Sequence, residues 1–274
     1  MSGKDFDGQV IVVTGASTGL GRAIAVEVAS RGAATVVVNY ASSEAAAAET
    51  ARSVELFGTR AIVVKGDVGE DADCRRIVAA AAPFGRIDAL FNNAGTTLFA
   101  PDHADMDAVS MDDFLRIYRV NVAGAFQMIR AARSLLESAP APGAVVNTAS
   151  IAALTGIGTS VPYAASKGAL TTMTKSLARA LAPKIRVNAI CPGFIDTPWF
   201  EKAGMSAERL AAVRADAAAR TPLGVASSAE DVAAATVFLG SRAARHITGE
   251  TLLVDAGTHL GFRNMAITDR REED

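Results

Sequence analysis

The sequence has few aromatic residues and few cysteines, and it carries no excess of charge of either sign. Only 5% of its 274 residues are aromatic although half are hydrophobic, so we expect a core of Ala, Val, Leu and Ile. The net charge of −2 comes from interspersed acids and bases, which predicts no basic face for nucleic acid or an anionic membrane. No apolar run reaches membrane-spanning length, and the amino-terminal segment has no signal-peptide core.

The cysteines and histidines form no recognisable ligand or disulfide pattern. Cys74 and Cys191 are far apart and belong to no paired motif, which favours two reduced structural thiols in a cytoplasmic protein. His103, His246 and His259 also lack the spacing of metal ligands. The sequence therefore predicts no metal site.

Short apolar runs alternate with helical patterns along the whole chain. Predicted strands cover residues 9–14, 34–39, 61–65, 87–91, 144–150, 185–190 and 251–255. The segments between them read as helices, including one long helix over residues 111–137. This alternation predicts an α/β protein, with residues 1–274 forming one domain around a doubly wound, seven-stranded, mostly parallel sheet with helices on both faces.

A glycine-rich turn, Gly15-Ala-Ser-Thr-Gly19-Leu-Gly21, lies between the first predicted strand and the first helix. Glycines let the backbone approach a pyrophosphate, and a helix amino terminus supplies unpaired N–H groups. An ordinary tight turn is the alternative interpretation. The position after a strand and before a helix favours a dinucleotide cofactor.

Polar residues end several predicted strands, at the edge where doubly wound sheets bind ligands. Asn39 stands where an acid would bind the ribose 2′-hydroxyl in an NAD-specific site. Because Asn39 is neutral and Ser42 and Ser43 could donate hydrogen bonds to a 2′-phosphate, NADP(H) is the preferred cofactor, with NAD(H) as the alternative. The serines could instead cap the next helix. Asp67 could accept from the adenine amino group or cap the helix that follows it.

A tyrosine and a lysine share one helix face near the middle of the chain. Tyr163 and Lys167 are four residues apart in a helix that begins near Pro162. A nearby ammonium should lower the pKa of the phenol towards the working range, so that Tyr163 can act as an acid or base. Ser150, at the end of a predicted buried strand, could hold a carbonyl oxygen beside it.

A long excursion after the sixth strand, at about residues 194–222, is typical of a substrate lid. Trp199 and Phe200 could line an apolar pocket or could simply fix the lid to the body. With Leu98, Phe99 and Ile151 they are the candidate pocket residues.

Together these motifs resemble the classical short-chain dehydrogenase/reductase family over nearly the whole chain. The similarity lies in Thr14-Gly15-x-x-x-Gly19-x-Gly21, Asp67-Val68, Asn92-Asn93-Ala94-Gly95, Asn121, Ser150, Tyr163-x-x-x-Lys167, and Pro192-Gly193 with Thr197. Local similarity is nearest to the glucose 1-dehydrogenase and 3-oxoacyl-carrier-protein reductase branches. The resemblance implies a single Rossmann fold and hydride transfer between NADP(H) or NAD(H) and a secondary alcohol or ketone. Thr18 departs from the arginine that NADP-using members often have.

The resemblance also implies a role for each matching residue. Tyr163 would be the general acid/base, Lys167 would lower its pKa and bond the nicotinamide ribose, and Ser150 would position the substrate oxygen. Asn121 would hold a water between Lys167 and solvent, or would merely pair with backbone at a helix irregularity. The implied cofactor-binding residues are Gly15, Ser17, Thr18, Gly19, Leu20, Gly21, Asn39, Tyr40, Ser42, Asp67, Val68, Asn93, Ala94, Gly95, Tyr163, Lys167, Pro192, Gly193, Ile195 and Thr197.

The resemblance also implies a homotetramer (or homodimer) formed through the helices that carry Asn121 and Tyr163.

Other functions are compatible with the same fold. A non-catalytic dinucleotide sensor or scaffold is the main alternative to an enzyme, although such a protein could lose its acid/base residues and this chain retains them. A sugar-nucleotide epimerase would need a longer substrate domain. The sequence does not distinguish among carbonyl or alcohol substrates.

Overall fold

The protein is built on one seven-stranded sheet in which every neighbouring pair is parallel. The structure, a computed structural model, describes residues 4–100, 102–199 and 205–261. The strands are β1 (Val10–Val13), β2 (Thr35–Tyr40), β3 (Arg60–Lys65), β4 (Ala89–Asn92), β5 (Gly143–Thr148), β6 (Ile185–Pro192) and β7 (Thr251–Val254). Their order is β3-β2-β1-β4-β5-β6-β7. The predicted doubly wound sheet is confirmed, and it is wholly rather than mostly parallel.

Helices cover both faces of the sheet. They are α1 (Gly19–Ser30), α2 (Glu44–Glu55), α3 (Asp71–Ala79), α4 (Met111–Tyr118), α5 (Ala125–Glu137), α6 (Ala152–Thr155), α7 (Val161–Leu181), α8 (Ala207–Arg220) and α9 (Ala229–Gly240). Side chains alternate across the sheet, so Ile11 and Val13 pack with α1 and α9 while Val10 and Val12 pack with α3 and α5. Both faces are therefore buried, which explains why the central strands are continuous apolar runs. In the described residues no helix is long and apolar enough to cross a membrane.

The long helix predicted over residues 111–137 is interrupted in its middle. Helix α4 ends at Tyr118, a π-helical turn occupies Arg119–Gly124, and α5 follows. Nothing in the hydrophobic period signals this turn, because its residues are compatible with an ordinary helix. Tertiary contacts stabilise it: Asn121 bonds to a neighbouring loop, and Gly124 lies so close to Val68 that a Cβ there would be 2.8 Å from Val68 Cγ2. Such π turns are frequent at functional sites.

A buried chain of polar side chains joins two central strands to α7. Asn92 Nδ2 donates to Asn147 Oδ1 at 3.0 Å, and Asn147 Nδ2 donates to Thr174 Oγ1 at 2.9 Å. Asn147 and Thr174 are fully buried. Because a buried amide that loses its partner gains none from water, this chain of hydrogen bonds fixes α7 on the sheet.

Replacing Thr174 with Val should destabilise the fold at nearly constant shape. The Asn147 amide would lose its acceptor, so we expect the free energy of unfolding to fall by about 1–3 kcal/mol. Urea denaturation measures the change. Thr172→Val is the matched control, because Thr172 is an exposed β-branched residue on the same helix. Equal stability of the two variants would contradict the proposed contribution of the Asn92–Asn147–Thr174 hydrogen bonds to the stability of the fold.

Candidate active site

The glycine-rich turn lies at the carboxyl edge of the sheet, between β1 and α1. Gly15 and Gly19 adopt positive φ angles of 61° and 56°, which favour glycine. A Cβ on Gly21 would lie 2.2 Å from the Gly15 carbonyl oxygen, so only glycine fits there. Thr18 is the extended N-cap residue of α1, Ser17 precedes it, and Leu20 is buried in the core. The turn thus brings bare backbone and the amino terminus of a twelve-residue helix to the edge, as a diphosphate requires.

Asn39 occupies a different environment from the one predicted. It is buried, its Oδ1 accepts from the Gly15 N–H at 3.1 Å, and its Nδ2 donates to the Gly66 carbonyl at 3.0 Å. Its amide therefore braces the glycine turn against β3 instead of pointing at a ribose. Strand β2 also runs one residue further than predicted, to Tyr40, which is buried as well. The orientation of Asn39 could not be predicted from the sequence, because the neutral charge of its side chain does not show which face of the strand it occupies.

The residues proposed for the 2′-phosphate and the adenine lie beyond β2 and β3. Ser42 is exposed, and Ser43 is the N-cap residue of α2 but makes no side-chain capping bond. The Asp67 carboxylate accepts from the Gly69 N–H at 2.8 Å, whereas the N-cap of α3 is Glu70. Ser43 therefore occupies the N-cap position without a side-chain capping bond, and Asp67 is not the N-cap residue of α3. The side-chain capping that was the alternative role of these residues is not observed. Val68 is buried against the π turn.

The loop after β4 is joined to the glycine turn by hydrogen bonds. Thr14 Oγ1 accepts from the N–H groups of Asn93 and Ala94 at 3.0 Å each. Asn93 Nδ2 donates to the carbonyl oxygens of Thr14 and Gly15 at 3.1 and 3.2 Å. At Gly95, a Cβ would lie 3.4 Å from Asn121 Oδ1 and 3.6 Å from Lys167 Nζ. Gly95 therefore opens the space in which these two side chains meet.

Asn121 uses its whole amide to hold neighbouring segments. Its Oδ1 accepts from the Thr96 N–H at 2.8 Å, and its Nδ2 donates to the Thr96 carbonyl and to Ser166 Oγ, each at 3.0 Å. Ser166 Oγ in turn donates to the Tyr163 carbonyl at 2.7 Å. The backbone pairing that was the alternative reading is thus present. Sequence reasoning missed Thr96 and Ser166, because Thr96 takes part through its backbone and Ser166 follows no motif.

Ser150, Tyr163 and Lys167 come together as predicted. Ser150 follows β5, and its hydroxyl accepts from the Ala152 N–H at 3.2 Å and lies near enough to the Tyr163 phenol to lower the pKa of that phenol. Lys167 Nζ lies 5.6 Å from the centroid of the Tyr163 ring and donates to the Thr148 carbonyl at 2.7 Å. Helix α7 is set in place by its N-cap residue Ser160, which accepts from the Tyr163 N–H. One hydroxyl, one phenol and one ammonium therefore share the strand edge.

The pKa of Tyr163 moves in the direction opposite to the prediction. Burial raises it to about 12, and the hydrogen bond from Ser150 offsets only part of that rise. Burial lowers the pKa of Lys167 to about 8. The i,i+4 spacing correctly predicted that Tyr163 and Lys167 lie close together. The Lys167 ammonium, however, is directed at the Thr148 carbonyl, and both side chains are removed from water. Desolvation of each group therefore outweighs their mutual attraction.

The segment after β6 folds back over this edge. Ile195 pairs with Ser227, and a Cβ on Gly19 would lie 3.4 Å from Thr197 Cβ. The Trp199 ring lies 5.7 Å from the Tyr163 ring, centroid to centroid. An ion pair of 2.6 Å between Asp196 and Arg214 ties the segment to α8. Pro192 ends β6, Gly193 packs against Asp255, and Phe200 lies outside the described residues.

The fold and the cluster at its carboxyl edge define a Rossmann-type α/β protein whose polar loops converge on one cleft. A family model described as enoyl-(acyl carrier protein) reductase matches residues 15–259. The chain belongs to the short-chain dehydrogenase/reductase family of oxidoreductases. The resemblance read from the motifs is thereby confirmed.

Individual relatives cover almost the whole chain. The L-rhamnose 1-dehydrogenase (NAD(P)(+)) of Sphingomonas sp. strain SKA58 is 37% identical, over 95% of this chain and 100% of its own. The 3beta-hydroxysteroid dehydrogenase 1 of Eggerthella lenta is also 37% identical, over 94% and 97% of the two chains. A blue fluorescent protein from a metagenomic library, solved in complex with NADPH, superposes with a TM-score of 0.79 at 34% identity, over 92% and 98%.

The buried ammonium of Lys167 should make stability depend on pH. Because the folded-state pKa is near 8, below the value of about 10.4 for an unfolded lysine, the folded chain releases this proton first. The free energy of unfolding of the wild type relative to Lys167→Met should therefore rise with pH across this window, by up to about 3 kcal/mol. Tyr163 is present in both proteins, so its titration cancels.

Urea denaturation at several pH values between 7 and 10.5 measures this difference, the range being roughly that of the two lysine pKa values. Lys175→Met removes an exposed ammonium from the same helix and is the control. If the free energy of unfolding of the wild type relative to Lys167→Met stays constant or falls as the pH rises, the lowered pKa of the buried Lys167 ammonium is contradicted.

Proposed function

We propose that the protein is an NAD(P)-dependent oxidoreductase that transfers a hydride between NADP(H) or NAD(H) and a secondary alcohol or ketone. The observation that carries the proposal is that Ser150, Tyr163 and Lys167 meet at the edge that also bears the glycine-rich turn, with Lys167 Nζ 5.6 Å from the Tyr163 ring. A nicotinamide dinucleotide, when bound, supplies or accepts the hydride. The protein supplies the proton, the orientation and the electrostatic environment.

Each residue of the cluster has a separate task in this proposal. The Tyr163 phenol gives its proton to the carbonyl oxygen during reduction and takes it back from the alcohol during oxidation. Ser150 holds the same oxygen by a second hydrogen bond. Lys167 bonds the nicotinamide ribose and returns a proton to Tyr163, and a water held at Asn121 connects Lys167 to solvent. A raised pKa keeps Tyr163 protonated at neutral pH, which is the form that can donate a proton.

The cofactor-binding residues follow the strand ends. The diphosphate would lie on the turn formed by Gly15, Ser17, Thr18, Gly19, Leu20 and Gly21. Asp67 and Val68 would flank the adenine, and Asn93, Ala94 and Gly95 would adjoin the nicotinamide ribose. Pro192, Gly193, Ile195 and Thr197 would hold the carboxamide. Asn39 and Tyr40 would contribute as supports of the turn rather than as direct ligands.

The Tyr163→Phe variant tests the chemistry. Removing the proton donor should lower kcat by about 100-fold or more, while dinucleotide affinity changes little because the ring remains. Tyr118→Phe is the control, since Tyr118 keeps its ring stack on Phe114 and lies on another helix. Undiminished turnover by Tyr163→Phe would refute the assignment. Dinucleotide binding by the wild type without turnover of any carbonyl or alcohol would favour the sensor.

We propose that NADP(H) is preferred, with NAD(H) as the alternative. The exposed Ser42 hydroxyl, which makes no capping bond, supports this preference. The relative whose name includes NAD(P)(+) supports the use of both cofactors. Ser42→Asp should weaken NADPH binding by about tenfold or more and leave NADH binding nearly unchanged, because a carboxylate repels the 2′-phosphate.

Isothermal titration with both dinucleotides measures the effect. Ser134→Asp adds the same charge to an exposed site on α5 and controls for net charge. A large NADH preference in the wild type would show that the cofactor preference is wrong, and so would a Ser42→Asp variant that behaves like Ser134→Asp.

We further propose a single domain over residues 1–274, with residues 194–222 as a substrate lid, in a cytoplasmic homotetramer (or homodimer). The lid is supported by the contact of Trp199 with Tyr163. The assembly is supported by Phe126 on α5 and Val161 on α7, which are exposed apolar side chains on the two helices concerned. Two free, buried cysteines suit a reducing compartment.

A further inference from the structure

A cavity of about 340 Å³ lies next to the segment that follows Ser150. It begins at Ile151, the residue after Ser150, and at Gly193 and Phe194, which follow β6. Its outer wall is helix α8, through Val213 and Ala217. Of the predicted pocket residues that the structure describes, which are Leu98, Phe99, Ile151 and Trp199, only Ile151 lines it.

The lining of this cavity is mostly apolar and has no basic side chain among the described residues. Its two ionisable groups are the carboxylates of Asp216 and Asp255. Asp255 is buried and already accepts from the N–H groups of Gly257 and His259, at 3.0 and 2.8 Å. The Asp255 carboxylate also lies 2.9 Å from His259 Nδ1. A carboxylate or phosphate inside the cavity would meet no basic side chain among the described lining residues, and an unpaired desolvated ion costs several kcal/mol.

Most hydroxyl groups of the lining are already used. Thr221 Oγ1 donates to the Val225 carbonyl at 2.9 Å and accepts from the Val225 N–H at 3.1 Å. Thr258 Oγ1 donates to the Asp255 carbonyl at 2.6 Å. Ser227 is more than nine-tenths buried, and in the described part of the chain its hydroxyl makes no hydrogen bond. The cavity therefore offers a ligand one free hydroxyl partner on an apolar wall.

We propose that this cavity holds the body of the substrate and that the enzyme acts on uncharged, predominantly apolar ketones or secondary alcohols that carry at most one further polar group, which Ser227 binds. Apart from the two carboxylates, the mostly apolar lining gives the hydroxyls of a polyol few partners, and each hydroxyl left unpaired costs about 1–3 kcal/mol. This inference rests on the proposed function, because it names the substrate class of the same site.

A matched pair of ketones tests the class. 4-Ethylcyclohexanone and 4-oxocyclohexanecarboxylate have similar size and differ in charge at neutral pH. With the wild-type protein and its cofactor, kcat/KM for the ethyl compound should exceed that for the carboxylate by about tenfold or more. Val213→Arg should reduce or invert this ratio, because it places a cation on the wall. Equal rates for the two ketones, or a preference for the carboxylate, would overturn the inference while leaving the oxidoreductase assignment intact.

The wall of α8 gives a second test that does not need turnover. Ala217→Leu should fill part of the cavity and weaken binding of 4-ethylcyclohexanone, measured by isothermal titration, by about tenfold. Ala211→Leu makes the same change on the exposed side of the same helix and should bind like the wild type. If the two variants bind alike, the cavity is not the binding site. If no ketone or alcohol is turned over, the proposed function fails, and this titration still decides whether the cavity takes apolar ligands.

Discussion

Three asparagine side chains hold the carboxyl edge of the sheet in shape. Where strands end, loops leave backbone N–H and C=O groups without ladder partners, and a buried unpaired group is costly. Asn39 supplies an acceptor to Gly15 and a donor to Gly66, Asn93 supplies donors to Thr14 and Gly15, and Asn121 pairs with both backbone groups of Thr96. An amide can do this because it carries a donor and an acceptor on one rigid plane. The glycine turn and the catalytic cluster depend on these braces for their relative position.

Bringing Lys167 and Tyr163 together at this edge removes both side chains from water, which is energetically unfavourable for their charged forms. Lys167 is almost completely buried, and desolvation lowers its pKa to about 8, while desolvation raises the pKa of Tyr163 to about 12. Both shifts favour the neutral forms, so the folded chain without a ligand resists the ion pair that proximity alone would produce. A dry site is also one in which a hydrogen bond or a charge acts strongly on a reacting atom. Burial of Lys167 therefore lowers the stability of the fold, in the part of the site to which we assign the proton transfer.

The sequence predicted the parts of the molecule that depend on periodicity and failed where tertiary contacts decide. Continuous apolar runs and regular spacing located all seven strands and their parallel arrangement, because burial on both faces leaves a direct mark on composition. The same reasoning took residues 111–137 as one helix, since the π turn at Asn121 is stabilised by Thr96, which no helical period includes. It placed Asn39 beside the cofactor's 2′-phosphate, because the sequence does not show that the side chain turns towards Gly15 and Gly66. It gave Tyr163 a lowered pKa because spacing measures distance but not desolvation.

Chemistry and substrate choice are carried by separate parts of this fold. The Ser150, Tyr163 and Lys167 cluster is fixed by β5 and α7, which are part of the core, whereas the cavity is bounded by α8 and by the turns after β6 and β7. Two relatives of the same identity to this chain are named for a sugar and for a steroid. A change in the wall alters which molecule is held without moving the proton donor. In the function that we propose, the absence of basic side chains among the described wall residues and the free buried hydroxyl of Ser227 therefore bear on specificity, whereas the meeting of Ser150, Tyr163 and Lys167 bears on the type of reaction.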